Sequence, residues 1–145
     1  MMTNMTSIIS HIQIANAVLC VLMAAQLLSM TAMRPMPKRL LAFNCLLYAH
    51  QSLALVVILN GTFERGLNGF GLTRPLFAIL LGPALYVYFC CVHRNPSQIK
   101  ARDALHFLVG VIIFTLLVWI KPLRALIDIA ITCSFVIYFI LIAIQ

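Results

Sequence analysis

Residues 80–96 read LLGPALYVYFCCVHRNP: an apolar helix with Gly82-Pro83 near its middle, three aromatic residues close behind, and a basic, helix-breaking flank. Whether a helix can carry that pair depends on its solvent. In a membrane, neighbouring helices can satisfy the carbonyl that a proline leaves without a donor, and glycine lets a neighbour approach closely. The fold therefore turns on what surrounds this segment.

Composition decides the solvent. Of the 145 residues, 63% are hydrophobic and only 9% charged. Soluble domains run at roughly 45–50% apolar. Mean hydropathy is +1.07, and apolar runs near the roughly 20 residues that a spanning helix needs recur along the chain. The sequence predicts an all-α, polytopic transmembrane bundle, one domain over residues 1–145. A cleaved leader accounts for little of this, because apolar segments continue to the last residue. The formal charge of +7 would suit nucleic acid, but the basic residues fall in short loops between apolar runs, so they read as topology signals. The five cysteines (Cys20, Cys45, Cys90, Cys91 and Cys133) all sit in hydrophobic segments. They read as small apolar thiols, since no spacing supports a zinc site or a disulfide framework.

Five spans are expected, over residues 8–33, 40–59, 75–92, 104–120 and 123–144. The first stops at RPMPKR, residues 34–39, where Pro35 and Pro37 oppose helix continuation and the charges Arg34, Lys38 and Arg39 refuse hydrocarbon. A glycine-spaced loop, NGTFERGLNGFGLTR, fills residues 60–74, and KPLR, residues 121–124, makes a tight hairpin. The first loop carries Arg34, Lys38 and Arg39, and the third carries Arg94, Lys100 and Arg102, offset by Asp103. Two crossings separate them, so both lie on one side, which the positive-inside rule makes cytoplasmic. The N-terminus is then outside and the C-terminus inside. Asn60-Gly61-Thr62 fits the glycosylation pattern but begins too close to a helix end to be read as a modification site.

Polar groups in hydrocarbon need partners, which makes the second span informative. Asn44, Tyr48 and Ser52 recur every four residues, with Gln51 near the same side and His50 about 100° around from it. This stripe reads first as contact between helices and second as the lining of a ligand cavity with a proton-sensitive His50. Asp128 lies one turn beyond Arg124 and reads as its i,i+4 partner. Asp103 opens the fourth helix, where a carboxylate satisfies first-turn amides. His106 follows at the interface, within reach of the Tyr86 to Phe89 end of the third span. Trp119 and Tyr138 read as interface or helix-contact aromatics. The sequence holds no phosphate cradle, serine elbow, HExxH or carboxylate dyad, and so offers no catalytic residues, no metal ligands and no cofactor motif.

LLGPALYVY and DALHFLVGVIIF together resemble the membrane-embedded sensory half of AraC-type transcriptional regulators. In those proteins a span bearing GPxxYxY precedes a basic loop and a helix opening with LHF. The matching residues here are Gly82, Pro83, Tyr86 and Tyr88, then Leu105, His106 and Phe107. The likeness covers about residues 8–120. This chain has Val109-Gly110 where those proteins usually place proline, and it has no helix-turn-helix segment, so no direct nucleic-acid binding is expected. The resemblance implies a non-enzymatic sensor or regulatory subunit of a bacterial inner membrane, working through a partner protein, with the Gly82-Pro83 bend relaying to His106. Its setting would be the lipid bilayer, beside another membrane protein or in a homo-oligomer. Two other classes remain open: a subunit of a small oligomeric channel or transporter, and a membrane assembly or immunity-like binding partner.

Overall fold

The computed structural model describes residues 2–31, 35–60, 69–94, 99–119 and 126–144. They form five helices: α1 (Met2–Ser29), α2 (Pro35–Leu59), α3 (Gly69–His93), α4 (Ala101–Trp119) and α5 (Ile127–Ala143). No strand occurs among the described residues. Three segments, Met5–Ser29, Pro35–Leu59 and Thr73–His93, are long and apolar enough to cross a membrane, and Ile127–Ala143 is a shorter apolar helix. These spans mark the chain as a membrane protein.

Helix ends depart from the sequence expectation at the prolines and at the end of α1. α2 begins at Pro35, not Leu40. A proline in the first turn removes an amide that has no intrahelical acceptor anyway, and its fixed φ suits a helix start. Pro35 and Pro37 therefore open α2 instead of delaying it. α3 likewise begins at Gly69, with Pro75 inside it. So Thr73 and Arg74, expected in a loop, lie on a helix. α1 stops at Ser29, short of Met33, and its last turn is closed by the Ser29 hydroxyl donating to the Gln26 carbonyl at 2.8 Å. The 121–124 hairpin, most of the glycine-spaced loop, and Arg34 lie outside the described residues.

Side-chain contacts give the order of packing. α1 lies on α2, α2 on α3, and both α4 and α5 on α3. Asn16 meets Ser52, and Ala24 and Cys20 cluster with Ala42 and Cys45, so α1 and α2 run antiparallel. Leu40 packs with Val87 and Cys91 while Leu47 packs with Leu81 and Ala84, so α2 and α3 are antiparallel too. Gly110 lies against Ile79 and Leu80, and His106 against Tyr86, which reverses direction again at α4. α5 runs parallel to α3, placing Ser134 at Ile79 and Tyr138 at Tyr86. This up-and-down order brings the start of α2, the end of α3 and the start of α4 to one end of the bundle. Small residues line the α1–α2 seam: Ala17, Ala24, Ala42 and Ala49 are all buried. Apolar side chains gain little from meeting each other in lipid, so close backbone approach through small residues becomes the means of association.

Candidate functional site

α2 has two buried faces. On a wheel of 3.6 residues per turn, Ala42, Cys45, Ala49 and Ser52 fall on one side, and Leu40, Asn44, Leu47 and Gln51 on the other. The first side meets α1, where Asn16 Nδ2–H donates to Ser52 Oγ at 2.7 Å. The second meets α3, where Gln51 Nε2–H donates to the Arg74 carbonyl at 2.8 Å and His50 Nε2 bonds Thr73 Oγ1 at 3.0 Å. The His50 ring also meets Phe77 edge-to-face, with centroids 4.5 Å apart. Tyr48 lies between the two faces and is exposed. The single polar stripe read from the sequence is thus split. Ser52 serves α1, His50 and Gln51 serve α3, and Tyr48 looks outward. Asn44 is buried, but its Nδ2–H donates to Leu40 of its own helix at 2.9 Å, and its Oδ1 accepts no hydrogen bond among the described residues. A four-residue repeat could not show this separation, because a helix packed on two sides buries two opposite faces.

The Gly82-Pro83 pair has a structural explanation. Pro83 has no N–H to give to Ile79, four residues back. The Ile79 carbonyl instead accepts from Ser134 Oγ of α5, at 3.3 Å. Gly82 makes that approach possible: a Cβ there would stand 2.9 Å from Tyr138 Cδ2 and 3.4 Å from the Ser134 carbonyl oxygen. The two residues act together, one withdrawing a donor and the other admitting the helix that replaces it.

Just beyond lies an aromatic cluster drawn from three helices. Tyr86 of α3 and His106 of α4 have ring centroids 4.8 Å apart, and His106 and Tyr138 of α5 are 5.6 Å apart. His106 Nδ1 shares a 3.2 Å hydrogen bond with the Tyr138 hydroxyl, its direction set by the imidazole tautomer. Between α4 and α5, which both lean on α3, an apolar cleft of about 180 Å³ is lined by Pro83, Val109, Ala130, Cys133 and Ile137 among others.

The end of α3 is tied to the start of α4. Arg94 grips Asp103 with both terminal nitrogens, Nη1 to Oδ2 and Nη2 to Oδ1, the latter at 2.9 Å. Asp103 Oδ2 also accepts from the Lys100 amide at 2.7 Å, while the Asp103 amide donates to the Lys100 carbonyl at 2.8 Å. The first bond is the half of a capping box in which the N3 side chain reaches back to the N-cap amide, and the second is a backbone bond that tightens the first turn of α4. The Arg94 guanidinium holds the Asp103 carboxyl below its ordinary range, against the opposing effect of burial. Asp103 in turn raises Arg94. Arg94 is thereby internally neutralised. Lys38 donates to the Met30 carbonyl across the α1–α2 turn, and Arg39, Lys100 and Arg102 are exposed.

Of the residues singled out by sequence, Gly82, Pro83, Tyr86 and His106 are brought into one neighbourhood, with Arg94 and Arg102 at its edge. Asn44, His50, Gln51 and Tyr48 are not part of it. Sequence reasoning missed Ser134 and did not place Tyr138. The missing amide of Pro83 signals a need for a donor, but not which helix supplies it. Arg124, the expected partner of Asp128, lies outside the described residues, and the Asp128 carbonyl accepts from Thr132 Oγ1 at 2.9 Å. All described cysteines are free thiols, and no three His, Cys, Asp or Glu side chains gather among the described residues. Set against protein-family models, curated proteins and solved structures, the chain matches none.

Proposed function

We propose that the chain is a non-enzymatic sensor or regulatory subunit of a bacterial inner membrane, acting through a partner protein. In this reading five segments cross the bilayer, with the N-terminus outside and the basic end of the bundle in the cytoplasm. The observation that carries it is the continuity of α3. Near its start α3 holds His50 and Gln51 of α2, at its middle its Ile79 carbonyl is held by Ser134 of α5, and at its end it holds α4 through Tyr86, His106 and the Arg94–Asp103 pair. A displacement of the Thr73 end can reach the α4 start through one helix with a soft point at Pro83, where a side-chain hydroxyl stands in for a backbone donor. The resemblance to the sensory half of AraC-type regulators supports the same reading, on Gly82, Pro83, Tyr86, Tyr88 and the LHF segment.

A photo-crosslinking residue at exposed Lys100 tests the proposal in intact cells. A discrete adduct with a different protein is expected, and Pro83→Ala should change its yield while leaving the unfolding temperature of the extracted protein within a few degrees. Adducts with lipid or with copies of the chain alone would overturn the partner reading. An impermeant maleimide checks orientation in the same cells: Asn60→Cys should label from outside, and Lys38→Cys only after the membrane is opened.

A second reading, an assembly partner for another membrane protein, is favoured by α5. None of its described side chains is fully buried, although it closes against Gly82. Such a partner would be captured whether or not Pro83 is replaced.

A further inference from the structure

Arg102 stands at the head of an exposed apolar line on α4. Leu105, Val109, Ile112 and Leu116 follow it at intervals of three and four residues, and all four are exposed. At 3.6 residues per turn these five positions fall within about 80° of one another. The head of the line adjoins a notch of about 240 Å³ lined by Cys90, His93, Arg94 and Arg102. His93 donates its Nδ1–H to the Phe89 carbonyl at 2.9 Å, which leaves Nε2 on the outer edge of the exposed ring. Arg94 is committed to Asp103, so the positive charge available to a visitor is that of Arg102, with Lys100 beside it. Asp103 is the only carboxylate at this end among the described residues, and Arg94 already neutralises it. Val109, about 10 Å further along the helix, also lines the cleft between α4 and α5.

We infer that this face is a binding site for an anionic phospholipid, with the phosphate in the notch at Arg102 and an acyl chain along Leu105 and Val109 toward the α4–α5 cleft. Basic pockets at the ends of spanning helices recognise lipid head groups through charge-assisted hydrogen bonds, and guanidinium geometry suits phosphate. A soluble phosphate would use the notch but not the apolar line. The line runs directly away from the cation, which is the shape of a lipid, and the helices on either side are those of a membrane protein. Arg39, at the same end of the bundle, also stands over exposed apolar side chains, Phe43, Leu46 and Leu53, but that row is broken at half-buried His50 and Arg39 does not line the notch, so it serves as the control for a cation above apolar surface without the notch.

The full chain in nanodiscs provides the test. With phosphatidylglycerol mixed into phosphatidylcholine, the unfolding temperature should rise, and native mass spectrometry should find phosphatidylglycerol retained. Arg102→Gln should weaken retention about tenfold, the loss expected from one charge-assisted contact of about 1.4 kcal/mol. Arg39→Gln removes the same charge from the same end and should weaken it less than about twofold, as a screened surface charge does. Val109→Asp, a charge within the apolar line, should also reduce retention. Equal losses for Arg102→Gln and Arg39→Gln would overturn the site in favour of general charge. So would stabilisation by inorganic phosphate in pure phosphatidylcholine that depends on Arg102, because the occupant would then be a soluble anion.

Discussion

The two halves of the bundle are held by different means. α1 and α2 close through alanine and cysteine, and α2 and α3 through a mixed seam of leucine, valine, alanine and cysteine, with one or two polar bonds per seam. α4 and α5 bury little. Among their described side chains only Asp103 is buried, and Gly110 is the sole other buried position. Beyond half-buried Phe107 and Phe135, which pack on the α2–α3 core, they are pinned by single directed contacts: Arg94 with Asp103, His106 with Tyr138, and Ser134 with the Ile79 carbonyl. A seam of small residues distributes its attraction over many weak contacts and tolerates no added bulk. A pinned helix tolerates bulk between its pins and is sensitive to the loss of any one of them.

The largest expected effect comes from breaking a pin. Asp103 and Arg94 side chains are only 2% and 16% exposed, so Arg94→Gln should cost about 3 kcal/mol by leaving a buried carboxylate without its cation. Thermal unfolding in detergent measures this. The pH dependence has a definite sign. Asp103 is held below the ordinary carboxylate range, so its contribution is complete above the unfolded value of about 4. It is lost as pH falls from there through the depressed folded value. Asp103→Asn should be less stable at neutral pH and should lack that acid-dependent loss. If Arg94→Gln unfolds with the wild type across the whole range, the pinned description of α4 fails.

A smaller effect separates seam from cleft. Ala42→Leu adds bulk to the α1–α2 seam and should destabilise by about 1–3 kcal/mol, the cost of overpacking. Ala130→Leu makes the same change where Ala130 lines the α4–α5 cleft, and should be neutral or mildly stabilising. Equal losses at the two positions would mean that both halves are packed alike.

The smallest effect is also the most specific. Ser134→Ala should cost about 0.6 kcal/mol, typical of a hydrogen bond between membrane helices. Pro83→Ala restores an amide that can donate to Ile79, so Ser134→Ala in that background should cost nearly nothing. A double-mutant cycle reads the difference. Additive losses would show that Ser134 and Pro83 do not share the Ile79 carbonyl.

Much of this was legible in the chain itself. Apolar length set the helices; of the two basic flanks, residues 35–39 of RPMPKR open α2, and α3 closes at His93 where HRNP begins. The Tyr86–His106 neighbourhood followed from placing a basic turn between two antiparallel helices. What was illegible has physical reasons. Pro35 looked like a barrier and Pro75 like a helix start, because a proline's position relative to a helix start is known only once the start is known. The 44, 48, 52 repeat looked like one face because a sequence shows periodicity but not how many neighbours a helix has. Tyr138 and Ser134 were hidden by distance: nothing local to α5 records that α3 lacks an amide.

That distance has a temporal meaning. Ser134 follows Ile79 by 55 residues, and a ribosome adding about 5–20 residues per second needs roughly 3–11 s to make that stretch. For that interval α3 is in the bilayer with a carbonyl whose helical donor does not exist and whose side-chain substitute has not been synthesised. Any passing hydroxyl or water can claim it. The geometry at Pro83 is therefore provisional during biosynthesis and becomes fixed only when α5 arrives, so that α5 serves as a clasp on α3.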